Sequence, residues 1–212
     1  MVDEIYHVIE WTYYNIINFG GDQSKITLCG HSSGAHLAAL TLVKADYGIK
    51  NNGIYLNKLP LLQHVLLLNG PYTMDLDSAL EQLKAANLNQ IAYGLTKLFT
   101  NAKNAFPLDI LATMTKQIPT LSAKQVTIFD SEGDLLIPSI VAKGFMSYLQ
   151  RTTVNANIDY VLLQDSKNAV KPDAYGAHNR ITVDLYDSHT QTDVEAKTLL
   201  LNVVKKYNKS DL

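Results

Sequence analysis

Gly30-His31-Ser32-Ser33-Gly34 places a serine between glycines two positions away on either side. Lys25 to Cys29 (KITLC) reads as a short buried strand that runs straight into this segment, and an alanine-rich helix, with Ala35, Ala38 and Ala39, is expected after it to about Ala45. A serine on a tight turn between strand and helix has its hydroxyl lifted clear of the sheet, while glycines on both sides give the two backbones room to close up. The Ser33 N–H, at the start of the helix, can donate to an oxyanion. The chemistry implied is nucleophilic attack by Ser32. The bare pattern arises by chance in many chains, so its weight comes from the strand before it and the helix after it; a plain strand-turn-helix is the alternative.

A hydroxyl attacks only when a base takes its proton, so the histidines matter next. His31 and His36 read as packing or surface residues, because the neighbour of a nucleophile cannot easily turn back onto it. His7 and His64 read as background. His178 and His189 each follow a candidate strand far downstream. No HExxH or paired-histidine spacing suggests a metal, and the single cysteine, Cys29, excludes an internal disulfide and a cysteine-rich zinc site. No cofactor is expected.

The elements that must position these groups alternate along the chain. Ile5, Val8, Ile9 and Ile16, with Trp11 and several tyrosines filling out the face, mark a helix over Val2 to Phe19 that Gly20-Gly21-Asp22 ends. His64 to Asn69 and Gln125 to Phe129 read as buried strands, Ile158 to Leu163 and Ile181 to Tyr186 as two more, and Ser139 to Leu149 as a helix. Ile118-Pro119 is expected to break a helical pattern. The closing helix carries a capping box at Thr192 and Glu195, an apolar face of Ala196, Leu199, Leu200, Val203, Val204 and Tyr207, and Lys205, Lys206 and Lys209 in its last turn. Such alternation gives a parallel sheet covered on both faces, with ligands at the carboxyl ends of the strands.

The segment Gly21-Asp22-x-x-Lys25-Ile26-Thr27-Leu28-x-Gly30-His31-Ser32-Ser33-Gly34-Ala35-His36-Leu37 resembles the carboxylesterase and lipase branch of the α/β-hydrolases, and prenylcysteine methylesterase-like enzymes in particular. Asp130-Ser131-Glu132-Gly133-Asp134-Leu135-Leu136-Ile137-Pro138 is similar to the motif in which that family's acid precedes an apolar pair and a proline. The resemblance implies Asp134 as the acid. The family has His-Gly where Asp130-Ser131 stands, so Asp130 is a competing carboxylate whose other reading is a turn cap. The base implied is a histidine before the last helix, which points to His189, with His178 as its rival. Ser32, Asp134 and His189 then stand in the family's chain order, and an ester would be cleaved through an acyl-enzyme.

That resemblance also implies what this stretch lacks. The family's nucleophile follows a fifth strand, so residues 1–212 correspond to one domain holding strands 5 to 8 without the earlier strands and their His-Gly-Gly loop. Weak or absent hydrolysis is expected of this chain alone, which reads as a fragment or a truncated gene product. The strand Lys25 to Cys29 becomes an apolar edge that invites pairing with another chain.

A formal charge of -2 with scattered basic residues argues against a nucleic-acid partner. No signal peptide or bilayer-spanning run is present in the sequence, which as given reads as soluble and cytoplasmic, although methylesterase-like relatives are often membrane-anchored. The expected substrate is a small or lipophilic ester, with Met74 to Gln117 lining part of its pocket or serving as plain scaffold. An amidase such as a formamidase, a deacetylase, or a non-catalytic module that binds a ligand or a protein stays open beside it.

Overall fold

Runs of leucine, valine and isoleucine too short for helices are stable only where both faces of an extended chain are covered. The computed structural model describes residues 1–74, 93, 104–134, 136–163, 178 and 191–208. In it those runs form β1 (Thr27–His31), β2 (His64–Leu68), β4 (Val126–Ser131) and β6 (Ile158–Leu163), paired in parallel in the order β1-β2-β4-β6. Every residue of β2 and β4 is buried, as central strands require. A second parallel pair joins β3 (Ile118–Thr120) to β5 (Thr153–Asn155). Ile118 and Pro119 thus open a strand instead of merely ending a helix. The expected strand Ile181 to Tyr186 lies outside the described residues.

The helices are α1 (Val2–Asn15), α2 (Ser33–Asp46), α3 (Pro107–Thr113), α4 (Ser139–Thr152) and α5 (Gln191–Asn208). Strand alternation divides the core in two. Val65, Leu67, Val126 and Ile128 belong to a cluster with Ala35, Ala38, Ala39 and Leu42 of α2 and Phe145 and Leu149 of α4. Leu66, Leu68 and Phe129 face the opposite way, where Leu199, Leu200, Val203 and Val204 of α5 cover them. Helices on both faces of a parallel sheet make this an α/β architecture. Lys205 and Lys206 occupy the last turn of α5, and Thr192 already lies within that helix, not ahead of it as a capping residue would.

Helix α1 turns part of the expected face inward, Ile9 with Ile5 packed against the core beside it, but not all of it. Val2, Tyr6 and Ile9 are buried, whereas Val8 and Trp11 are exposed. A 3-10 turn of four residues, Ile16–Phe19, follows it and ends on Gly20 at φ 79°, a left-handed conformation that suits glycine. Among the described residues β1 pairs with β2 alone, and Cys29 is exposed. No helix of the described residues is long and apolar enough to cross a membrane.

Register is what prepares the site. His31, Leu68 and Phe129 stand side by side across β1, β2 and β4. The ladder continues one residue further, because the Ser32 N–H donates to the Leu68 carbonyl at 2.8 Å and the Asn69 N–H to the Phe129 carbonyl at 3.0 Å. Ser32 and Asn69 therefore leave the sheet side by side at its carboxyl end, level with Asp130 of β4.

At the other end of β2, His64 is 1% exposed and its Nε2 lies 2.8 Å from Thr127 Oγ1. Burial pulls this imidazole from its ordinary 6.5 down to about 4. Between those values the unfolded chain binds a proton that the folded chain refuses, so stability falls on acidification through that window. The melting temperature is expected to drop between about pH 7 and about pH 4.5, and His64→Gln to shrink that drop. An unchanged difference between the two pH values would remove His64 from the acid sensitivity of the fold.

Candidate active site

The turn from β1 to α2 is tight enough to dictate its own sequence. Ser32 sits between strand and helix at φ 53°, ψ -120°, outside the regions that a serine ordinarily occupies. A side chain at Gly30 would strike the Gly34 carbonyl oxygen and lie 2.7 Å from the Ala35 nitrogen, so only glycine fits. Gly34 differs from the expectation that both glycines are sterically required: a Cβ there would meet nothing within 4 Å. The Gly34 backbone itself takes up the space that a Gly30 side chain would need.

The imidazole beside Ser32 is that of His178. Its Nε2 is 2.9 Å from Ser32 Oγ and its Nδ1 is 2.7 Å from Asp134 Oδ2. Both His178 and Asp134 are buried, at 5% and 7% exposure. His189 lies outside the described residues; the position between Ser32 and Asp134 is filled by the residue that the sequence ranked second. Two histidines in comparable places after candidate strands cannot be told apart by local pattern, since the choice depends on the path of the chain between them.

Asp134 is the terminus of this chain of hydrogen bonds and is heavily donated to. Oδ1 accepts from the backbone N–H of Leu136 at 2.9 Å and of Ile137 at 3.0 Å, and Oδ2 accepts from Asn69 Nδ2 at 3.0 Å as well as from His178. Burial alone would push its carboxyl up, but the hydrogen bonds from His178, the Ile137 N–H and Asn69 outweigh it and hold Asp134 below the usual carboxylate value. An ionised Asp134 can only accept, so Nδ1 carries the ring proton and Nε2 is left with a lone pair toward the Ser32 hydroxyl.

Asp130 takes no part in that contact. It lies within β4, not in a turn; its Oδ1 accepts from the Ser131 N–H at 3.0 Å and its Oδ2 from the Tyr160 hydroxyl at 2.9 Å. His31 does turn toward the site after all: its Nε2 donates to the His178 backbone carbonyl at 3.0 Å, with the two rings 5.1 Å apart. Burial lowers its pKa, which leaves it a neutral donor. His36 is buried at 4% and donates from Nδ1 to the Pro71 carbonyl at 2.9 Å, a packing role. Of the stretch Met74 to Gln117, the described part includes α3, whose Ile110 and Leu111 are buried in the main core as scaffold.

Ser33 is the first residue of α2, and the first N–H groups of a helix have no acceptor within it. The arrangement can therefore do three things: deprotonate a hydroxyl, stabilise the imidazolium that results, and offer one N–H to a developing negative charge.

The family described as alpha/beta hydrolase fold matches residues 1–143. Among solved structures, esterase B from Lactobacillus rhamnosis superposes with a TM-score of 0.64 at 12% identity, covering 98% of this chain and 61% of that one. A second structure of that enzyme, with a tributyrin phosphonate inhibitor, gives 0.62 at 12% identity over 98% and 60%. Carboxyl esterase 2 from the fungus Tuber melanosporum gives 0.59 at 15% identity, over 97% of this chain and 60% of that one. This chain thus spans about three fifths of the length of these solved relatives. No curated protein matches it.

The two glycines of the turn should separate cleanly on substitution. Gly30→Ala is expected to cost more than about 2 kcal/mol in urea denaturation, because backbone and not a flexible side chain stands in the way. Gly34→Ala should change stability by less than about 1 kcal/mol, alanine being the better helix former. Equal costs at the two positions would contradict the packing described.

Proposed function

The chain belongs to the alpha/beta hydrolase fold family, and from that membership we propose that it carries the nucleophile, acid and base of a carboxylic ester hydrolase. Ser32 is the nucleophile, Asp134 the acid and His178, in place of His189, the base. The observation that supports this reading is a single imidazole in hydrogen-bond reach of Ser32 Oγ and Asp134 Oδ2 at once.

The mechanism follows from the proton's position. As Ser32 Oγ attacks an ester carbonyl carbon, its proton passes to His178 Nε2. The ring becomes an imidazolium while Nδ1–H stays bonded to Asp134, whose negative charge favours the cation. The carbonyl oxygen becomes an oxyanion that accepts from the Ser33 N–H. His178 then returns the proton to the departing alcohol, leaving an acyl-Ser32 ester, and a water activated by the same Nε2 releases the acid and restores the hydroxyl. Nothing in these steps distinguishes ester from amide; the structural relatives, an esterase B and a carboxyl esterase, favour the ester, with a small or lipophilic acyl group as substrate.

One identified N–H on the oxyanion is a modest complement. The sequence has no His-Gly-Gly segment to supply others, and each missing donor costs roughly 100- to 1000-fold in rate, so turnover by residues 1–212 alone should be slow. A further strand laid along the β1 edge is the protein contact this reading favours.

Labelling with a fluorophosphonate tests the assignment without requiring turnover. Ser32 should carry the adduct, Ser32→Ala should abolish it, and His178→Gln should slow it by about 10,000-fold or more, whereas His189→Gln should leave the rate unchanged. Loss on His189→Gln with retention on His178→Gln would overturn the choice of base. A folded wild-type chain that takes no label at Ser32 would favour the non-catalytic binding module.

A further inference from the structure

Asn69 is a buried amide that takes no part in the proton transfers described above. It follows the last residue of β2, at φ 48°, and is 1% exposed. Its N–H continues the ladder onto the Phe129 carbonyl, which pins the backbone at the carboxyl end of the sheet. A left-handed conformation is costly for most side chains but tolerated by asparagine. Next to it a Cβ on Gly70 would fall 2.6 Å from the Tyr72 ring, so any other residue there would displace that buried ring. The side chain is as constrained as the backbone. Nδ2 donates to Asp134 Oδ2 at 3.0 Å, and Oδ1 faces Ser131 Oγ at 3.4 Å. The opposite amide orientation would aim oxygen at an ionised carboxylate, so the nitrogen must face Asp134.

We infer that Asn69 is a positioning residue of the site: its amide holds the Asp134 oxygen that His178 uses, and thereby sets both where the imidazole points and how readily it takes a proton. The inference rests on the proposed roles of Asp134 and His178. Oδ2 carries two donors, His178 Nδ1 at 2.7 Å and Asn69 Nδ2 at 3.0 Å, and of these only the amide cannot titrate. The amide therefore draws on the same oxygen charge in every protonation state of His178. Removing it leaves Oδ2 richer in charge and freer to move. The first effect makes the imidazole more basic; the second loosens the ring against Ser32. Aspartate at this position would fit the same space and the same backbone conformation, but would set a second carboxylate against the first.

The test follows His178 directly by the pH titration of its ring nitrogen signals, assigned by their loss in His178→Gln, alongside the pH profile of fluorophosphonate labelling and of p-nitrophenyl acetate hydrolysis. Asn69→Gly keeps the backbone conformation and removes the amide; it should raise the His178 titration midpoint by about one pH unit, move the acid limb of the labelling profile with it, and lower kcat by roughly 10-fold with KM little changed. Asn69→Asp, which matches the native side chain in size, should raise the midpoint further and carries the test if the glycine variant does not melt cooperatively. Midpoints that stay where they are in both variants, in chains that remain folded, would overturn the inference. If the midpoints move while wild-type Ser32 takes no label, the coupling stands and the hydrolase reading falls.

Discussion

A histidine ring that meets a carboxylate at 2.7 Å through Nδ1 and a serine hydroxyl at 2.9 Å through Nε2 is the contact on which the rest of this structure turns. It has to be assembled from three separate parts of the chain, 146 residues apart between Ser32 and His178 and 44 between Asp134 and His178. Neither the serine nor the aspartate is useful without the ring between them. A serine hydroxyl with no base beside it is a poor nucleophile, and a carboxylate that cannot reach it does nothing to change that.

The sheet makes the assembly possible. Parallel pairing in register sets His31, Leu68 and Phe129 in one row, so the residues that leave β1, β2 and β4 emerge side by side. Ser32 leaves on the strained turn into α2, Asn69 on a left-handed step, and Asp134 on the short loop after β4 that folds two backbone N–H groups back onto its own Oδ1. The two cores that grip the sheet, one under α2 and α4 and one under α5, hold this row still. Site geometry is in this sense a property of strand register, and changes in packing far from Ser32 would be felt there.

How much of this can be read from the chain depends on how local each feature is. Ser32 was legible because a strand, a glycine-framed turn and a helix are contiguous, and the steric demand at Gly30 is met within five residues. Asp134 was legible through family likeness in its own short motif. The histidine that meets Ser32 was not: His178 and His189 both follow candidate strands, and it is the three-dimensional course of the chain that brings His178 to Ser32. Buried central strands are legible to within two residues, as with β2, expected over His64 to Asn69 and observed at His64–Leu68, because their apolar runs stand out. β3 and β5, with three residues each, have no pattern to find. On α1 the helical pattern holds for Ile5 and Ile9 but not for Val8 and Trp11, which are exposed, because packing and not hydropathy decides which apolar residues turn inward. Asn69 gave no signal at all, since its importance lies in a left-handed backbone angle and a partner 65 residues away.

The most direct measurement of the central contact is the proton NMR signal of the hydrogen between His178 Nδ1 and Asp134. A resonance far downfield of the amide region should be present in the 212-residue chain, disappear in His178→Gln and in Asp134→Asn, and persist in His189→Gln. Its survival in His178→Gln, or its loss in His189→Gln alone, would contradict the account.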